Sequence, residues 1–134
     1  MPGVREEVLA VHSDEDVVRI RQVTRHWAVE LGFSLVDQTK IVTAASELAR
    51  NTLVHGGGGT AQIEALLEGP RRGLRLTFED KGPGIADVPQ ALRDGYTSGS
   101  GLGLGLGGAR RLASEFDIVS VPGQGTRVRI TRWR

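Results

Sequence analysis

The chain of 134 residues contains no cysteine. That excludes disulfides and every zinc site built on thiolates, and it suits a reducing compartment, so the cytoplasm is the expected location. Aromatic residues are scarce, with two Trp, one Tyr and three Phe, too few for the stacking platform that single-stranded nucleic acid asks for. An excess of one charge is missing too. Lys and Arg number 17 against 16 Asp and Glu, a formal net charge of +1, so no global field selects nucleic acid. The stretch 101–134 holds six arginines against Glu115 and Asp117, an excess read as a solvated face. No run approaches the roughly 18 apolar residues of a membrane span, and MPGVREEVL lacks the apolar region of a signal peptide. Neither nucleic acid nor membrane is an expected partner. His12, His26 and His55 have no metal-ligand spacing.

Glycine, by contrast, is abundant, with 19 residues, and it is concentrated in one place: Gly101 to Gly108 reads GLGLGLGG and runs into ARRLASEF. Alternating glycines make a poor strand or helix interior. From Ala109 the period becomes helical, with Leu112, Ala113 and Phe116 on one face and Arg110, Arg111 and Glu115 available for the other. A glycine loop opening a helix lets backbone N–H groups approach an anion at the positive end of the helix dipole, and a nucleotide polyphosphate is a natural guest. The plain alternative is a mobile loop. No GK[ST] follows, and the acid that a dinucleotide fold needs about 20 residues downstream is missing, so neither a Walker A loop nor a Rossmann turn is indicated.

Elsewhere the patterns read in order. Val4 to His12 suits a strand. Ser13 is a helix N-cap with Asp16 where a capping box puts an acid, and Val17, Ile20, Val23, Trp27 and Leu31 continue at helical spacing up to Gly32. A second helix, about Ser34 to Val54, buries Ile41, Ala44, Ala45, Leu48 and Thr52 before HGGGG breaks it. TAQIEALLE and LRLTFED are hairpin strands joined by GPRRG, VPQALRDG holds a short helix, and Asp117 to Val121 and Thr126 to Trp133 form a last hairpin around PGQG. One domain over residues 1–134 is expected. Its class is α+β, a two-layer α/β sandwich with a mixed, mainly antiparallel sheet covered on one face by helices.

Three further places carry chemistry. Glu47 and Asn51 lie four residues apart on one helix face. A carboxylate there can take a proton and an amide oxygen can ligate Mg²⁺, which needs few protein ligands beside nucleotide phosphates; an ordinary polar stripe is the alternative. Asp80 ends an apolar strand before Gly82, Pro83 and Gly84, a placement suited to a base amino group or simply to a turn. Thr126 offers a hydroxyl that could share a bond with Asp80, or is just a β-branched strand residue. Lys81 is read as facing water.

The order SELARNTLVHG, EDKGPGI, GLGLGLGG before a helix, then GTRVRI resembles the boxes of the GHKL (Bergerat-fold) ATPase and kinase superfamily. Within it the chain resembles the RsbT-type serine/threonine switch kinases nearly end to end, through SELARN, ED-x-GPGI, GLG-x-GL-x-G-x-RRL and EF, with Trp133 near the end. The resemblance implies an ATP- and Mg²⁺-dependent kinase, with Glu47 as base and Asn51 carrying Mg²⁺. It implies that Asp80 meets adenine, with Gly82, Gly84, Ile85 and Thr126 also at the nucleotide. Gly99, Ser100, Gly101, Leu102, Gly103, Leu104 and Gly105 would wrap the phosphates, and 95–100 would act as a short lid. It further implies a STAS-domain antagonist as substrate and a phosphatase activated by binding, in a bacterial stress-response partner switch. NTLVHG is closer to the anti-sigma factor kinases of the superfamily. The alternative is therefore an ATP-gated anti-sigma factor whose partner is a sigma factor. A histidine kinase or a gyrase-, MutL- or Hsp90-like ATPase would need a dimerisation helix or transducer domain that is not seen here.

Overall fold

The computed structural model describes residues 5–92 and 105–134. Its elements are β1 (Arg5–Val11), α1 (Asp14–Glu30), α2 (Leu35–Val54), β2 (Gly59–Glu68), β3 (Arg71–Asp80), α3 (Val88–Ala91), α4 (Gly105–Leu112), β4 (Glu115–Val121) and β5 (Gly125–Trp133). The strands form one sheet in the order β1-β2-β3-β5-β4. Every pairing among the described residues is antiparallel, within the mainly antiparallel sheet that the sequence suggests. No helix among the described residues is long and apolar enough to cross a membrane.

Local chemistry accounts for the helix boundaries. Ser13 Oγ accepts from the Asp16 amide at 3.2 Å, satisfying one of the orphan donors of the first turn. Asp16 does reach back, but its carboxylate accepts from the His12 amide at 2.8 Å, one residue before the N-cap that a capping box would serve. At the other end Gly32 has φ +83°. Its amide donates to Val29 O, and that of Phe33 to Ala28 O, each at 3.0 Å, the paired bonds of a Schellman stop. Ser34 caps α2 in the same way as Ser13 caps α1, accepting from the Asp37 amide at 3.1 Å.

One face of the sheet carries the core. Leu9, Val11, Ile63, Leu74, Leu76, Phe78, Val128 and Ile130 alternate inward and are buried beneath α1 and α2. All five positions of the expected α2 stripe are buried, and the small side chains of Ala44, Ala45 and Ala49 let α2 pack on both α1 and α4. On α1 the buried set is Val17, Ile20, Thr24, Trp27 and Ala28, so Trp27 is a core residue. The opposite face is polar. Arg75 Nε donates to Thr131 Oγ1 at 3.1 Å and Arg129 Nε to Thr77 Oγ1 at 3.2 Å. Arginine stems laid over the sheet bury both threonines on its uncovered side. Part of the arginine excess near the C-terminus is thus spent on holding β3 to β5.

Two boundaries differ from the sequence reading. The β2–β3 turn is only Gly69-Pro70, with Glu68 paired to Arg71 and Gly69 at φ +62°, as a II′ hairpin requires of its first central residue. Gly73 belongs to the strand: the Trp133 ring, 2.6 Å from where its Cβ would sit, takes the space. Near the C-terminus, α4 starts within the glycine run and stops at Leu112, so Glu115 and Phe116 open β4. The Ser114 amide bonds Thr131 O at 2.8 Å, and pairing with β5 there overrides helical continuation.

Arg132 ties these layers together. Nη1 donates to Leu112 O and Nη2 to Asp37 Oδ1, both at 2.7 Å, joining the end of α4 and the first turn of α2 to β5. The hydrogen bond from Arg132 holds the Asp37 carboxyl below its usual range. Because the folded value lies below the unfolded one, the pair's contribution is complete above the ordinary carboxylate range and is lost as pH falls through the lowered value. Arg132→Ala is expected to cost about 2 kcal/mol near neutral pH and less in acid. Urea unfolding of both proteins at neutral and acid pH checks this, and an equal loss at both would remove the Asp37 linkage.

Candidate functional site

At one end of the sheet a single register row crosses all five strands: Val11, Gly59, Asp80, Thr126 and Ser120 are successive partners. Asp80 is the last residue of central strand β3 and is half-buried. Its Oδ1 accepts from the Gly82 amide at 2.9 Å, which orients the carboxylate at the turn. A Cβ on Gly56 would overlap Asp80 Cγ and lie 2.5 Å from Asp80 Cβ, and one on Gly82 would lie 2.7 Å from Gly56 Cα. The two glycines therefore form a cradle around this carboxylate that any side chain would fill.

The cradle is connected to α2. The Asn51 carbonyl accepts from the His55 amide at 2.9 Å and the Gly56 amide at 3.2 Å, so the helix end that carries Asn51 also delivers Gly56 to Asp80. Glu47 and Asn51, one turn apart and both half-buried, share the helix face that their spacing predicts. Glu47 Oε1 accepts from the Gly105 amide, the first of α4, at 3.2 Å. A carboxylate here answers an orphan donor and the positive end of the α4 dipole.

The turn after Asp80 is docked on the last hairpin. Gly123 N donates to Pro83 O, and Ile85 N to Ser120 Oγ, both at 2.7 Å, while the Ile85 side chain packs against the core. Gly84, at φ +78°, runs close beneath Val121 O. Lys81 is exposed, as expected. Thr126 stands directly opposite Asp80 in the ladder, but its hydroxyl pairs with Ser120 Oγ at 2.8 Å and not with Asp80. That corrects the shared bond suggested by the sequence: Thr126 has a neighbour of its own type on the next strand.

Described residues thus bring together Glu47, Asn51, Asp80, Gly82, Gly84, Ile85, Gly105 and Thr126. Gly99, Ser100, Gly101, Leu102, Gly103, Leu104 and the proposed lid lie outside the described residues. Two contributors escape the sequence reading. Gly56 stands in a run with no evident role until Asp80 is folded against it. Ser120 had a usable signal, a polar residue at the inward position that follows Phe116 and Ile118 in period 2.

Chemically, the sheet end offers acceptors to a donor group, and the start of α4 offers amides to an anion. Among the described residues no group of three or more His, Asp or Glu could hold a metal ion unaided. The Asn51 amide, with Glu47 one turn away, fits a cation that keeps most of its ligands from water and phosphate.

Comparison with known proteins follows the same lines. Residues 36–133 match the family model described as histidine kinase-, DNA gyrase B-, and HSP90-like ATPase. The chain is 41% identical over 128 residues to the serine/threonine-protein kinase RsbT of Bacillus subtilis, covering 96% of each. It is 32% identical over 132 residues to an anti-sigma F factor of Clostridium kluyveri, covering 94% of this chain and 90% of that one. Among solved structures, the RsbU and RsbW domains of a Mycobacterium tuberculosis protein align with a TM-score of 0.66 at 24% identity. That alignment covers 98% of this chain and 33% of the other, and it bears on the fold alone.

Gly56→Ala is expected to lower stability by about 1–3 kcal/mol through overpacking and to turn the Asp80 side chain away from the Gly82 amide. Denaturant unfolding with amide NMR checks both; an unshifted Gly82 amide in a stable variant would count against the cradle.

Proposed function

The chain belongs to the histidine kinase-, DNA gyrase B- and HSP90-like ATPase family, among its RsbT-like serine/threonine-protein kinases, and from that premise we propose that it transfers the ATP γ-phosphoryl group to a serine or threonine of a STAS-domain antagonist. The observation that supports this reading best is the cradle of Gly56 and Gly82 around the Asp80 carboxylate, beside a helix start whose first amide is already paired with Glu47. In this proposal residues 1–134 act as one nucleotide-binding kinase unit within a stress-response partner switch, and the same chain activates a phosphatase by direct binding.

Each described residue then has a task. Asp80 accepts a hydrogen bond from the adenine amino group. Asn51 would hold Mg²⁺ through its amide oxygen, and the ion when bound would supply charge neutralisation at the phosphates. The Gly105 amide donates to a phosphate oxygen, a task that the glycine run before it, outside the described residues, would share. As a phosphate takes over the Gly105 amide, Glu47 is released to accept the proton of the substrate hydroxyl. The hydroxyl oxygen bonds to the γ-phosphorus, the bond to the β-phosphate oxygen breaks, and ADP leaves.

A second reading has its own support. Anti-sigma F factors match the chain at 32% identity, and at 29% in Thermoanaerobacter. In that reading the chain is an ATP-gated module that sequesters a sigma factor, with or without phosphoryl transfer.

The test is a phosphotransfer assay with the protein, Mg-ATP and a panel of STAS-domain and sigma-factor partners, with Asn51→Ala as control. Glu47→Ala is expected to lower transfer by about 10²-fold or more with little change in ATP affinity, whereas Asp80→Asn raises the ATP Kd by roughly tenfold or more. Transfer by Glu47→Ala at the wild-type rate would remove the base assignment. A partner that is bound only with ATP and never labelled would make the gated module the better account.

A further inference from the structure

Ser120 occupies an inward position of β4 where the alternation calls for an apolar residue, and its hydroxyl meets three groups. Oγ lies 2.7 Å from Ile85 N, 2.8 Å from Thr126 Oγ1 and 3.3 Å from Gly125 O. A hydroxyl has one proton and two lone pairs. The Ile85 amide can only donate, so it takes one lone pair. The Gly125 carbonyl can only accept, so it takes the proton. With the Ser120 proton on the Gly125 carbonyl, the Thr126 hydroxyl gives its own proton to the remaining lone pair of Ser120.

Thr126 is left with acceptor capacity only. Its neighbour across the ladder is Asp80, whose carboxylate is likewise an acceptor, as Oδ1 is toward the Gly82 amide. Residues directly opposite on one face have Cβ atoms about 5 Å apart, so the two acceptors form one edge at the end of the sheet.

We propose that Ser120 is a positioning residue for base selectivity: by taking the Thr126 proton it makes the Asp80–Thr126 edge wholly accepting, so that the site admits a purine with an amino group and rejects one with a carbonyl in its place. This rests on the reading of the site as one for ATP and adds a residue through which the base is chosen. Removing the Ser120 hydroxyl frees the Thr126 proton to rotate toward a carbonyl, and discrimination falls even though no residue at the edge has changed.

Equilibrium binding of ATP and of ITP, which carries a carbonyl where ATP carries the amino group, tests this on the full chain. Wild type is expected to favour ATP by about 10²-fold or more. Ser120→Ala is expected to reduce that ratio by about tenfold or more, and Ser120→Thr, which keeps the hydroxyl, to retain it. Thr126→Val removes the acceptor while sparing the Ile85 contact and lowers the ratio as well, which gives a second route if Ser120→Ala folds poorly. A purely structural role for Ser120 would weaken both nucleotides alike, and an unchanged ratio in Ser120→Ala and Thr126→Val overturns the inference while leaving the ATP site standing. A wild-type protein that binds neither nucleotide overturns the ATP reading, and the inference with it.

Discussion

Gly56 lies against the Asp80 side chain, and Gly82 both lies against Gly56 and donates its amide to Asp80 Oδ1. Three segments meet there: the end of α2, the end of β3 and the turn that leaves it. Neither glycine has room for a side chain at the contact, so the backbones of the α2 end and of the turn close directly on each other around the Asp80 side chain. The approach of Gly82 to Gly56 tolerates little adjustment, because no rotamer can absorb a misfit between two backbones. The half-buried carboxylate keeps its orientation for the same reason.

From this contact the rest of the site can be traced outward. The Asn51 carbonyl accepts from the His55 and Gly56 amides at the end of α2, and one turn earlier Glu47 reaches the first amide of α4. Arg132 then binds the far end of α4 and the first turn of α2 to strand β5. Helix α4 is therefore held at both ends by charged groups, and its position relative to α2 follows from two side-chain bonds as much as from apolar contact. On the other flank, Ser120 joins the Asp80 turn to the last hairpin through Ile85. A local change in the turn is thus felt in β4, and the reverse.

Much of this was legible in the residues. Ser13, Gly32 and Ser34 mark helix ends by chemistry confined to a few neighbours, and the α2 stripe from Ile41 to Thr52 follows from helical period alone. Glu47 and Asn51 share a face for the same reason. Less legible were features where a distant strand overrides a local preference. Phe116 fits a helical face after Ala109, but pairing with β5 places it in β4. Gly73 reads as turn chemistry, yet it is there to receive Trp133.

The sequence by itself determined the elements, their order, the α+β class and the set of residues that resemble a nucleotide kinase, because each of these depends on periods, caps and motif spacing within short windows. Only the tertiary structure decided which of those residues touch. It placed Gly56 on Asp80, paired Thr126 with Ser120 and set Glu47 on Gly105. These contacts arise from strand register and from the packing of α2 against α4. Both are settled by how the whole core is filled, and no local stretch of residues carries that information.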